Sequence, residues 1–227
     1  MTRSAAAENT PRRRYAPRLP PDERRAQLLD AAFEVTGRLG LHDLNMEAVA
    51  AAAGVGKPVL YTVFRTRAEL VAALLQREHE RAIAQVFATL PTDLRELGPA
   101  AAYAGTVTAF VSTVLENPTR WRLILTTPEN APSEYHELLR EARGAVLARA
   151  EDLAEAGIAL EPNLEGLDPV LLAHTMLSFA EMLGRLAVTD PSTFTSEHLS
   201  RYAVALATTV TTSRNRTDPQ PPDADGA

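Results

Sequence analysis

Lys57, Pro58, Tyr61 and Thr62 offer an ammonium, a rigid ring, a phenol and a hydroxyl within one short stretch of chain. These groups suit recognition of an anionic polymer better than bond cleavage. An ammonium and a phenolic O–H reach phosphate oxygens, while threonine and proline meet base edges or a thymine methyl. Lys57 is the only lysine in the sequence. Gly56, just before it, allows close approach of the backbone. Arg67 opens a further helical run, where a guanidinium and a helix N-terminus together hold a phosphate. A second constellation is EYHELLRE, with Glu134, Glu137 and Glu141 at helical spacing and His136 nearby. Carboxylates three and four apart share a face and can ligate a metal. However, His136 points off that face, Arg140 and Arg143 interleave, and the second carboxylate–His pair of a di-iron bundle is missing. The pattern reads as a solvated ion-pair surface, and EHER at 78–81 is read the same way. The chain has neither a Gly-rich phosphate loop nor a nucleophile elbow. The expectation is a protein that is not an enzyme and needs no metal and no cofactor.

The positioning elements are short helices. Leu28, Leu29, Ala32, Phe33, Thr36 and Leu39 recur at spacings of three and four, one apolar stripe of an amphipathic helix. Pro21 sits just inside its start with Asp22 and Glu23 in the first turn, and Gly40 closes it. Asn45 is placed to cap a second helix beginning at Met46. Gly54-Val55-Gly56 breaks that helix, and Pro58 suits the first turn of a third. Val59, Leu60 and Phe64 are expected to pack on Phe33, Val49 and Ala53, leaving Lys57, Pro58, Tyr61 and Thr62 outside. Met46 to Phe64 thus has the layout of a helix-turn-helix, whose second helix can enter a major groove.

These residues resemble the DNA-binding domain of TetR-type (tetracycline-repressor-like) transcriptional regulators. The matching elements are Ala31-Ala32 with Val35 and Gly40, Val49-Ala50 with Ala53-Gly54-Val55, Leu60-Tyr61 with Phe64, and Arg67 with Glu69-Leu70. They cover residues 22–74, in the family's order and spacing. Three positions depart from the pattern. Asn45-Met46 stands where a threonine commonly opens the second helix, Val63 replaces a His or Tyr, and Arg67 replaces a lysine. The resemblance implies an all-α fold, with an N-terminal helix-turn-helix domain and a larger helical domain for ligand binding and dimerisation. It implies a ligand-responsive regulator, most simply a repressor, bound as a dimer to a palindromic double-stranded DNA operator. A small, largely apolar effector would release it. DNA contacts are expected from Asn45, Met46, Gly56, Lys57, Pro58, Tyr61, Thr62 and Arg67. The alternative is a small-molecule-binding protein of the same fold without DNA binding, for which Asn45 and Val63 speak. A helical enzyme is a further class.

Composition agrees with such a chain. Apolar residues make up 45% of the sequence and cysteine is missing, which excludes disulfides and cysteine metal sites and suits a cytoplasmic protein. Alternating strand patterns are not visible, nor is an apolar stretch that would span a bilayer or a leader-type apolar segment, so no membrane partner is expected. Net charge is −6, but residues 1–70 hold 11 Lys+Arg against 8 Asp+Glu and residues 71–227 hold 12 against 21. The first part is +3 and the second −9, so positive charge gathers where DNA would bind.

Four segments follow. Residues 1–21 form a disordered basic arm with Arg12, Arg13, Arg14 and Arg18, either following phosphates and the minor groove or merely solubilising. Residues 22–67 make the helix-turn-helix domain, 68–213 the helical domain, and 214–227 a disordered tail. Helices are expected over 68–90, 100–116, 119–126, 134–156, 170–188 and 196–213, with Gly157 ending the fourth and a loop over 157–169. Leu171, Leu172, Met176, Phe179, Met182, Leu183 and Leu186 make the penultimate helix apolar almost all round. Leu199, Tyr202, Ala203, Leu206, Ala207 and Val210 stripe the last. In the resembled family this pair builds the homodimer interface. Tyr103, Phe110, Trp121, Leu125, Tyr135, Leu139, Met176 and Phe179 are expected around an effector cavity, with His136 and His174 as polar candidates.

Overall fold

A computed structural model describes residues 19–126 and 131–212, all helix and loop among those residues. Helix α1 spans Pro21–Leu39, α2 Met46–Ala52, α3 Lys57–Val63, α4 Arg67–Thr89 and α5 Pro99–Glu116. Then come α6 Pro118–Leu125, α7 Ser133–Leu160, a 3-10 turn at Pro162–Leu164, α8 Pro169–Thr189 and α9 Ser196–Thr212. The basic arm to Arg18, the tail from residue 213 and the side chain of Val210 lie outside the described residues.

The helix boundaries follow local chemistry. The Asn45 side chain accepts from the amide of Ala48 at 2.9 Å, and Asp168 caps α8 by accepting from Leu171 at 2.8 Å. Each such bond satisfies an orphan amide of a first turn. Gly40 and Gly54 hold φ of 83° and 65°, the left-handed region that a Cβ disfavours. The expectation that Gly157 ends a helix is corrected. α7 runs on to Leu160, and Gly157 is buried where an added Cβ would meet the ring of Pro99 at 3.4 Å. That glycine packs against the start of α5, and part of the expected loop is helix and 3-10 turn.

Two apolar cores result. The first gathers Leu28, Val35, Leu44, Val49, Leu60 and Phe64 and continues along α4 through Leu75, with Leu123 and Tyr135 joining from beyond. Within α1, Val35 is fully buried while Leu39 stands half exposed, because the helix ends before Leu39 can turn inward. The second core contains Ala82, Val107, Val111, Val114, Trp121, Leu183, Ala187 and Leu199. α4 therefore serves both cores and makes one rigid beam between them.

α8 packs against α5, α6 and α7. An 18-residue window of its 21 residues has a mean hydropathy of 1.2, long and apolar enough to cross a membrane by length and composition. The sequence reading expected no such stretch. Here Leu183 and Ala187 face the core, Met176 and Phe179 are half-buried, and Leu171 and Met182 are exposed.

Candidate functional site

α3 stands out from the first core on a single buried contact. Leu60 is buried, while Lys57, Pro58, Tyr61 and Thr62 are exposed as expected. Val59 is exposed too, against expectation: a helix of this length turns only one narrow face inward, and Leu60 and Val63 occupy it. The helix-turn-helix is braced from α1. Gln27 donates to the carbonyl of Ala53 at 3.0 Å, and the Arg25 guanidinium lies over the Phe64 ring at 4.7 Å.

The exposed groups are held by local partners. Lys57 Nζ pairs with Glu47 Oε1 at 3.0 Å, and both side chains are more than half exposed. Such a pair contributes little and opens readily. The Thr62 hydroxyl donates to the carbonyl of Val59 at 2.6 Å. The Asn45 carboxamide is committed to capping, and Met46 packs against the first core. Gly56 sits at φ −72°, open to any residue, as the N-cap of α3, so the turn's special backbone belongs to Gly54.

Arg67 differs most from expectation. Its Nε donates to the carbonyl of Leu44 at 2.5 Å, and its Nη2 donates to those of Leu41 and His42 at 2.7 and 3.0 Å. It latches the loop between α1 and α2. The N-terminus of α4 is closed as well. Thr66 accepts from the amide of Glu69 at 3.1 Å, and the Glu69 carboxylate accepts from the amide of Arg65 at 2.9 Å. This reciprocal cap places a negative charge where a phosphate was expected. Arg25 and Arg65, unnoticed in the sequence, stand exposed beside the C-terminal end of α3. Their position next to the buried Phe64 was the available signal.

Beside the second core lies a cavity of about 700 Å³ between α4, α5, α7 and α8. Tyr103, Phe110, Trp121, Leu125, Leu139, Met176 and Phe179 line it, as expected. Tyr135 does not. Its hydroxyl donates to the carbonyl of Leu123 at 3.3 Å, its ring meets His79 edge-on, and it belongs to the first core. His136 and His174 are exposed and off the cavity, whereas His79, taken for a surface residue, lines it. Burial pushes the phenols of Tyr103 and Tyr135 well above their usual range, Glu78 adding to the second, and holds His79 below its ordinary value against the pull of Glu80.

The reading of EHER as a surface run is likewise corrected. Glu78 is fully buried, and its carboxylate receives Arg77, Arg81 and Arg120 at 2.8, 3.1 and 2.8 Å. Burial of the carboxylate is sustained because three guanidinia surround it. Glu134, Glu137 and Glu141 are exposed on α7 as expected of a solvated face.

Residues 28–74 match the family described as bacterial regulatory proteins, tetR family. The chain is 48% identical over 75 residues to the HTH-type transcriptional activator FasR of Mycolicibacterium smegmatis, a match covering 33% of this chain and 34% of that relative. The shared region is thus about a third of the relative's length. Two solved structures share the fold across most of both chains. A TetR-like transcriptional regulator from Rhodococcus sp. RHA1 superposes with a TM-score of 0.65 at 23% identity, covering 85% of this chain and 97% of that one. FadR from Bacillus subtilis, in complex with stearoyl-CoA, gives 0.61 at 17% identity, covering 80% and 96%.

Proposed function

From an N-terminal domain that belongs to the tetR family of bacterial regulatory proteins, we propose that this protein is a ligand-responsive DNA-binding transcriptional regulator. It acts as a dimeric repressor on a palindromic operator and is released by a small, largely apolar effector. The observation that carries the reading is the pairing of an exposed α3 with a largely apolar cavity, joined by the single helix α4. Lys57 and Tyr61 reach phosphates and Thr62 and Pro58 reach base edges once Lys57 leaves Glu47. Arg25 and Arg65 extend the phosphate contacts.

Dimerisation is supported by apolar surface on the last two helices. Val170, Leu171 and Met182 of α8 and Tyr202, Val204 and Leu206 of α9 are all exposed. A two-fold axis through this face would present two copies of α3 to successive major grooves, about 34–36 Å apart. We divide the chain into a reading domain over 22–67 and an effector and dimer domain over 68–213, with α4 as their shared beam. The stearoyl-CoA complex of FadR, with the same fold, supports placing the effector in the cavity. The effector acts only through its differential affinity for two states of the dimer.

The relative from Mycolicibacterium smegmatis is named an activator, which favours activation as a second reading. Binding to the protein's own upstream DNA at two salt concentrations tests the proposal, alongside a Lys57→Ala, Tyr61→Ala variant. Selective, salt-sensitive binding lost in the variant supports it. The lack of any selective binding across a genomic library would leave a ligand-binding protein of the same fold.

A further inference from the structure

The cavity is long, and its polar groups are gathered at one end. Its lining along α7 runs from Leu139 to Gly157, a span of about 27 Å at the helical rise. A volume of about 700 Å³ drawn out over that length is a channel, not a chamber. Toward the Gly157 end the walls are Leu94, Pro99, Leu153 and Leu164. The hydroxyls along the way are already engaged. Tyr103 donates to the carbonyl of Met176, and Thr106 and Thr175 donate to carbonyls of their own helices.

The other end is different. Arg143 pairs with Glu181 at 2.8 Å across α7 and α8. The two helices pack together, and Arg140, about a turn before Arg143, and Arg185, about a turn after Glu181, line the same cavity. Both line the channel and have no ion-pair partner among the described residues. Among the lining residues, three guanidinia against one carboxylate leave this end positive. Also in the channel wall, the buried Nε1 of Trp121 and Nδ1 of His79 have no hydrogen-bond partner among the described residues. The indole N–H is a donor only. The unpaired indole donor and an uncompensated cation cluster call for the same thing, an acceptor oxygen carrying negative charge.

We infer that the effector is a single-tailed amphiphile, its anionic head held at Arg140, Arg143 and Arg185 and its unbranched apolar tail extended along α7 toward Gly157. This rests on the proposal that the cavity is the effector site. Head groups of two kinds meet the requirement, a free carboxylate and the phosphates of an acyl carrier nucleotide. The channel admits a tail up to the length of its walls and no wider fused-ring body.

The test is binding to the full-length dialysed protein without DNA, read by calorimetry, with palmitate, palmitoyl coenzyme A and hexadecan-1-ol, and with carboxylates of shorter chain. Affinity is expected to rise about fourfold per added methylene while the tail still lengthens inside the channel. Arg140→Ala with Arg185→Ala is expected to weaken the anionic ligands at least tenfold and the alcohol less than threefold. Loss confined to palmitoyl coenzyme A assigns the head to phosphates, and loss for palmitate as well assigns it to a carboxylate. Val146→Trp, midway along α7, is expected to abolish the gain from longer tails while sparing the shortest. A flat chain-length series, or equal losses for acid and alcohol, overturns the inference. So does tight binding of a neutral polycyclic compound that excludes palmitate, although the regulator would stand. Conversely, tight palmitate binding that leaves DNA affinity unchanged would remove the regulatory role and leave the ligand class intact.

Discussion

Glu78 Oε2 accepts from Arg120 Nε at 2.8 Å, joining α4 to α6 beneath the reading helices. The same carboxylate holds Arg77, which reaches back to Asp30 of α1 at 2.7 Å and to the carbonyl of Leu29 at 3.1 Å. Arg120 also donates to Gln85 at 3.0 Å and lies 6.0 Å from the centroid of the Phe33 ring. His79, next in sequence, lines the channel. Through Arg77 and Arg120 one buried charge thus links α1, α4 and α6 within a residue of the cavity lining, where a shift of α6 would be felt by α1.

Removing that charge isolates buried guanidinium. Glu78→Ala should destabilise the fold by about 3–5 kcal/mol, because Arg120 loses its compensating carboxylate. In a thermal melt this is a drop on the order of 10 °C for a chain of this size. A melting temperature within a degree or two of the wild type would show that the carboxylate is not needed to balance the arginines.

At the proposed DNA face, Glu47 pairs with Lys57 and would compete with phosphate for it. Glu47→Gln should tighten DNA binding roughly two- to fivefold at low salt, since it removes a pairing of order 1 kcal/mol or less and a like charge facing the backbone. Lys57→Ala should weaken binding and reduce the slope of log K against log salt by about 1. Fluorescence anisotropy over a salt series measures both, and an unchanged slope would place Lys57 off the phosphates.

Two glycines should respond in opposite directions to the same substitution. At Gly184 a Cβ would come within 2.8 Å of Leu125 Cδ1 and 2.9 Å of Phe110 Cε1. Gly184→Ala should destabilise by about 1–3 kcal/mol and perturb ligand binding. Gly144, also within a helix, meets nothing within 4 Å. Gly144→Ala should stabilise by about 0.5–1 kcal/mol. Denaturant midpoints at unchanged m-value would report each effect.

His79 predicts a pH dependence. Burial, the larger cause, holds its folded value below the ordinary 6.5, so the unfolded chain binds the proton more readily. The stability it contributes is complete above pH 6.5 and is lost as pH falls from there toward the lower folded value. Melting temperature should therefore fall between pH 7.5 and 5.5, and His79→Gln should flatten that slope. A slope identical in the variant would assign the acid sensitivity to other groups.

Much of the fold was legible without coordinates, because helix ends are decided within a few residues. Asn45, Gly40, Gly54, Pro58 and the caps they imply all stand where the spacing put them. The exposure of Lys57, Pro58, Tyr61 and Thr62 and most of the cavity lining were legible for a similar reason, since period and residue type report which face is apolar. The latch made by Arg67 was not legible because its three carbonyl partners lie 23 to 26 residues earlier in the chain.

By itself the sequence determined an all-helical chain, the frame of the helix-turn-helix and the apolar character of the second core. Those properties depend on local hydrogen bonding and on summed hydrophobic burial, both of which act through near neighbours and composition. Only the tertiary structure decided that Glu78 is buried, that Tyr135 joins the first core rather than the cavity, that Gly157 lies buried within a helix rather than at its end, and that Arg140 and Arg185 line one cavity. Each of these is set by a partner tens of residues away, and burial of charge or volume is decided by what lies across the interface, not by what lies next in the chain.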